Sequence, residues 1–153
     1  MKIAEFLSPI AVVADLEAKT KPEALRELCR ALAKSLPGVK PERLMEVLQE
    51  RERLGSTGIG EGVAIPHGKL AGIPKLVAAF GVHHAGVNFE AIDGKPAQLF
   101  FALVAPENSA GIHLKALARI SRLFKNPGFR ASILGATSTE EIYELIAQED
   151  ARA

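Results

Sequence analysis

The stretch Arg51-Glu52-Arg53-Leu54-Gly55-Ser56-Thr57-Gly58-Ile59-Gly60-Glu61-Gly62-Val63-Ala64-Ile65-Pro66-His67-Gly68 restricts what this chain can become more than any other segment. Its glycines lack a Cβ and allow the backbone to approach a ligand or a neighbouring element closely. Successive free N–H groups in such a loop form a concavity suited to an anion, phosphate above all. Ser56 and Thr57 add hydroxyl donors. The apolar run Val63-Ala64-Ile65 then reads as a short buried strand. Pro66 cannot donate to a ladder, so the strand is expected to end or bend there. His67 follows directly, between a proline of fixed φ and a permissive glycine. A histidine at a strand end beside an anion-friendly loop suits phosphoryl chemistry.

Two better-known glycine-rich motifs do not fit. A Walker A loop ends in Gly-Lys-Ser/Thr, and here no lysine follows the glycines until Lys69. A dinucleotide fingerprint needs G-x-G-x-x-G, but its third glycine would fall on Val63 or on Ile65. Neither ATP nor NAD binding is supported. On the residues alone, a plain loop with a structural histidine stands level with a functional site.

With 153 residues, 48% of them apolar, the chain has the material for one domain, 1–153, with a proper core. A formal net charge of +1 argues against nucleic acid or an anionic membrane as the main partner. One cysteine, Cys29, excludes an internal disulfide and suits a reducing compartment. Met1 to Leu16 lack the basic start and long apolar centre of a secretory signal. No apolar run approaches the roughly 20 residues of a membrane span. A cytoplasmic protein without direct membrane insertion is expected.

Along the chain, Ile10 to Leu16 reads as a short strand. Thr20-Lys21-Pro22-Glu23 is a capping box, opening a helix to about Ser35 with Leu25, Leu28 and Leu32 inward. A second helix starts near Pro41 and places Leu44, Val47, Leu48 and Leu54 on one side. Glu50-Arg51-Glu52-Arg53, at its end, reads mostly as a solvated charged face. Val77 to Val82 is a central strand. His83 and His84 point to opposite faces and cannot share a metal, so both read as surface or strand-end residues. Val87-Asn88-Phe89 can pair as a short strand. Ala97 to Val104 is apolar enough for a strand buried on both faces. Ala110 to Phe124 reads as a helix with Leu117, Ile120 and Phe124 inward and His113 in its first turn. Asn126-Pro127-Gly128 is a break, and Ser138-Thr139-Glu140-Glu141 is a capping box for a last helix burying Ile142, Leu145 and Ile146. Together these elements predict an α/β fold: a single mixed β-sheet of about four or five strands flanked by helices.

Ile59-Gly60 with Val63-Ala64-Ile65-Pro66-His67-Gly68 resembles the signature of the fructose/mannitol-type IIA domains (EIIA type 2) of the bacterial phosphoenolpyruvate-dependent sugar phosphotransferase system. Gly55 to Gly60 together with Ile65-Pro66-His67-Gly68-Lys69-Leu70 is most similar to its stand-alone nitrogen-regulatory branch. The likeness extends through Ala91-Ile92-Asp93-Gly94-Lys95-Pro96 and His113-Leu114, so it spans nearly the whole chain. It implies a protein-histidine phosphocarrier, a phosphotransferase that accepts a phosphoryl group on His67 from an HPr-like or NPr-like phosphocarrier protein. The same likeness implies nitrogen or carbon signalling, with a downstream regulatory target; a sugar-specific subunit would pass the group to a IIB domain instead. It makes His113 the second active-site histidine and Arg51 an arginine bordering the site, although a cation at a helix C-terminus is welcome for structural reasons alone. Thr57, then Ser56 and the N–H groups around Gly58 and Gly60, are the further candidates for holding the phosphoryl oxygens. No metal and no cofactor is expected. Two other classes remain open at this point: a metal-dependent hydrolase using His67 and His113, and a non-catalytic anion-binding module.

Overall fold

The structure is a computed structural model describing residues 1–152. A short 3-10 turn at Ile3–Glu5 leads into β1 (Leu7–Val13). Then come α1 (Lys21–Ala33), α2 (Pro41–Arg53), β2 (Gly58–Gly60), β3 (Val63–Ala64), β4 (His67–Leu70), β5 (Val77–Val87), β6 (Ala97–Pro106), α3 (Ala110–Leu123), α4 (Pro127–Gly135) and α5 (Thr139–Ala151). The sheet is mixed, ordered β1-β5-β6-β3-β2, with β4 also paired to β6. β6 is antiparallel to β5 and parallel to both β3 and β4.

β3 and β4 are one line interrupted. Ala64 lies opposite Phe100 and His67 opposite Leu103, so three steps pass on each side and the register survives the gap. The interruption is Ile65-Pro66. Ile65 N–H faces β2 and donates to the Thr57 carbonyl at 3.0 Å, while Pro66 has no N–H to give β6 but accepts from Leu103 N–H at 2.9 Å. The proline thus divides the expected strand, and with the β2–β3 hairpin the sheet reaches six strands.

Helices cover both faces because β5 and β6 are buried along most of their length. Phe80 and Phe101 stand opposite each other on the ladder and gather Phe124 and Phe129 on one face, with ring centroids 5.2 to 6.0 Å apart. On the other face Phe100 meets Phe89 edge-on at 5.4 Å, beneath α1. The capping predictions hold in atomic detail. The Thr20 hydroxyl accepts from Glu23 N–H at 3.3 Å, and the Ser138 hydroxyl from Glu141 N–H at 3.1 Å.

Several sequence expectations shift. The first strand begins at Leu7, not Ile10, and runs through Pro9, which sits without penalty on an edge strand. Asn126-Pro127-Gly128 is a break that also starts a helix. The Asn126 side chain accepts from Gly128 and Phe129 N–H, and Pro127 takes the first helical position of α4. Leu54 is 83% exposed instead of facing inward. Leu117 and Leu145 are half-buried against the core. Phe89 is buried, but the 87–89 segment contributes only Val87 to a ladder. His83 is the clearest correction. It is buried inside β5, with Gly86 N–H donating to Nδ1 at 3.0 Å and Nε2 donating to the Ala18 carbonyl. Its neighbour His84 is exposed, as alternation along a strand requires.

Candidate functional site

His67 is the first residue of β4, so its backbone is held by the central strand β6. Its ring nitrogen Nδ1 lies 2.6 Å from the Ile65 carbonyl oxygen. A carbonyl can only accept, so Nδ1 carries the proton and the lone pair resides on Nε2. Burial pushes the imidazole pKa below 6.5; the Ile65 bond opposes that, the Arg51 charge adds to it, and the Glu52 charge opposes it. The net result is a neutral ring at neutral pH, its nucleophilic nitrogen fixed by geometry.

Gly68 explains how β4 reaches this position. A Cβ there would lie 2.5 Å from Val47 Cγ1, so α2 can close on the strand only across a glycine. That contact brings the C-terminal half of α2, with Arg51, alongside His67.

His113 comes from the first turn of α3. Its ring centroid is 5.4 Å from that of His67, with the rings at 80°, edge to face. His113 is 6% exposed, and its buried Nε2 has no hydrogen-bond partner. Burial first, then the charges of His67 and Lys69, push its pKa down to about 4. A neutral imidazole offers one N–H donor at low desolvation penalty. An unsatisfied buried polar atom costs on the order of 1–3 kcal/mol, which an anion oxygen placed between the two rings would relieve. The N-terminus of α3 adds a favourable dipole for negative charge.

The two histidines sit in an open cleft of about 550 Å³ between α2 and α3, also lined by Arg43, Glu50, Arg51 and Lys69. Arg51 donates from Nη1 to the Gly55 carbonyl at 2.9 Å, which closes the end of α2 and holds the guanidinium at the cleft. Leu54, 83% exposed, and Leu114, 67% exposed, form an apolar rim. Arg43, Lys69 and the two leucines were not expected from the sequence as site residues, although signals existed. Lys69 is two residues from His67 on one strand, hence on the same face. Arg43, Val47, Glu50 and Leu54 repeat at helical spacing.

The cleft brings together His67, His113 and Arg51. It does not bring in Ser56, Thr57, Gly58 or Gly60. Thr57 is buried and donates both its N–H, at 3.1 Å, and its hydroxyl to the Glu52 carboxylate. Ser56 donates to the Phe89 carbonyl at 2.5 Å and accepts from Gly58 N–H at 3.0 Å. A Cβ on Gly58 would meet Ala91 at 2.9 Å, and one on Gly60 would meet Asp93 at 3.2 Å. The glycine-rich segment packs closely against residues 89–93, and Ser56 and Thr57 spend their donors on bonds within the protein, outside the cleft. Glu52, read from the sequence as part of a solvated face, has a side chain only 6% exposed and pairs with Lys21 at 2.9 Å. Among the described residues, no group of three or more His, Cys, Asp or Glu side chains converges as a metal site. No helix there is long and apolar enough to cross a membrane.

Residues 5–149 match the family model for the phosphoenolpyruvate-dependent sugar phosphotransferase system, EIIA 2. The chain belongs to that family. A nitrogen regulatory protein of Bradyrhizobium diazoefficiens is 39% identical over 153 residues, covering 100% of this chain and 99% of its own length. The crystal structure of the nitrogen regulatory protein IIA-Ntr from Neisseria meningitidis is 37% identical and superposes with a TM-score of 0.88, over 94% of this chain and 98% of that one. The Escherichia coli mannitol enzyme IIA, solved in complex with phosphorylated mannitol enzyme IIB, is 25% identical with a TM-score of 0.76, over 92% and 96% of the two chains. These EIIA likenesses support a phosphocarrier of the nitrogen-regulatory kind over a sugar-specific one.

Proposed function

We propose that His67 Nε2 accepts a phosphoryl group from a phosphohistidine on a small HPr-like or NPr-like carrier protein, and that the phosphorylated chain acts in nitrogen or carbon regulatory signalling. The observation that supports this most is the pairing of a tautomer-fixed imidazole with a second, buried, neutral one whose Nε2 lacks a partner. In the step, the Nε2 lone pair forms a new N–P bond as the donor's N–P bond breaks. The released electron pair returns to the donor imidazole. His67 Nδ1 keeps its proton on the Ile65 carbonyl, so the ring carries the developing positive charge against an acceptor. His113 donates to a phosphoryl oxygen, and Arg51 with the start of α3 steadies the negative charge. Such transfer demands positioning and charge stabilisation more than covalent work by the protein. The exposed rim of Leu54 and Leu114 gives the donor protein an apolar surface beside the acceptor nitrogen.

Incubation with the phosphorylated carrier is expected to give an acid-labile label on wild type and none on His67→Ala. An acid-stable label, or labelling that survives the substitution, overturns the reading. A second reading, a sugar-specific subunit passing the group to a IIB domain, draws on the likeness to the mannitol IIA–IIB complex. Transfer from the phosphorylated chain to purified IIB domains discriminates the two.

A further inference from the structure

We propose that Glu52 is a positioning residue for His67, acting through two backbone segments pinned end to end. The connection can be followed atom by atom. The Glu52 carboxylate accepts Thr57 N–H at 3.1 Å and the Thr57 hydroxyl. The Thr57 carbonyl accepts Ile65 N–H at 3.0 Å. The Ile65 carbonyl accepts the His67 Nδ1 proton at 2.6 Å. Thr57 and Ile65 are thus each held at both ends, and the last link decides which nitrogen of His67 is free to attack.

Three features argue that this is more than general packing. Ile65 N–H points to the β2 side of the strand, so the Thr57 carbonyl is the partner that orients its peptide there. Pro66 follows it, and a residue before proline has a restricted backbone, so its carbonyl has few alternative directions. Glu52 is held in place by Lys21 at 2.9 Å, with the side chains 6% and 15% exposed. The carboxylate also lies near enough to the imidazole for its charge to favour the protonated ring, against Arg51 one residue away. The charged and titratable groups around His67 are Arg51 and Glu52 from α2, Lys69 from β4 and His113 from α3, with Arg43 and Glu50 further along the cleft.

This inference rests on His67 being the phosphoryl acceptor, but its test does not. The substitution Glu52→Gln keeps the shape of the side chain and cannot accept from Thr57 at both oxygens. Nitrogen-15 NMR of the imidazoles is expected to show His67 as the Nδ1–H form in wild type. In Glu52→Gln the Nε2–H form should grow and the ring should titrate at lower pH. Phosphoryl acceptance should slow on the order of 10-fold, the lower end of what losing the outer partner of a metal-bound histidine costs, with its pH profile moved in the same direction. A residue that merely braces the fold would lower stability and leave tautomer and pH profile in place. Unchanged tautomer and profile in folded Glu52→Gln overturn the inference while leaving His67 as acceptor. If Glu52→Gln does not fold, Thr57→Val decides: it removes one of the two Glu52 bonds and should shift the tautomer the same way, and no shift overturns the inference. If wild type accepts no phosphoryl group, the tautomer measurement still tests Glu52, and the failure belongs to the proposed function alone.

Discussion

Acidification should unfold this protein partly through His113. An imidazole with an ordinary pKa in the unfolded chain and a depressed one in the fold takes up its proton more readily when unfolded. Its stabilising contribution is therefore complete above about pH 6.5 and drains away as pH falls toward the folded pKa, flattening below it. For His113 the fall is from 6.5 to about 4. At about 1.4 kcal/mol per pH unit this is on the order of 3 kcal/mol, a large part of a small domain's stability. His67 is shifted in the same direction and adds to the effect. Urea denaturation at pH 7.5, 6.5, 5.5 and 4.5 of wild type and His113→Gln isolates the contribution as a difference in slope. Wild type should lose about 2.5 kcal/mol more than the variant across that range, the rest of the shift lying below pH 4.5. Parallel curves would show that the buried ring is not desolvated as its surroundings imply, and the argument for a neutral N–H donor beside His67 would fall with it.

Two further outcomes follow from the same geometry. Gly68→Ala drives a methyl group to 2.5 Å from Val47 Cγ1; calorimetry should show a loss of about 1–3 kcal/mol and labelling of His67 should slow. Leu114→Ser, on a side chain already 67% exposed, should change stability by no more than about 0.5 kcal/mol. It should weaken titrated binding of the phosphorylated carrier about 10-fold, the worth of one apolar anchor.

Local chemistry was legible wherever a residue and its partner lie close in sequence. Thr20 with Glu23, Ser138 with Glu141 and Pro41 at the start of α2 all took the places that their spacing assigns. Ala97 to Val104 reads as a two-sided core strand because hardly any polar residue interrupts it, and β6 lies at the middle of the sheet. The resemblance carried by their motifs pointed to the two histidines and Arg51, and the fold places all three in one cleft. Misreadings arose where the partner lies far along the chain. His83 is buried because the Ala18 carbonyl, 65 residues away, receives its proton. The Glu52 side chain is covered because Lys21 crosses from another helix to pair with it. The glycines at 58 and 60 look free for an anion until Ala91 and Asp93 fold against them. Asn126-Pro127 was ambiguous for a different reason: the residues that end one helix are also those that begin the next.

The break at Ile65-Pro66 keeps its register on β6, and this bears on how the molecule can signal. His67 is anchored to the central strand, so a phosphoryl group placed on it would leave the backbone around it in place. Chemical marking alters the mouth of the cleft instead. Arg43, Arg51 and Lys69 there face Glu50 alone. A phosphoryl group adds roughly two negative charges at neutral pH and would bring that surface from cationic to near balance. Receptors that distinguish the two forms would then read a change of potential on an unmoving frame, and their discrimination should fade as salt screens it.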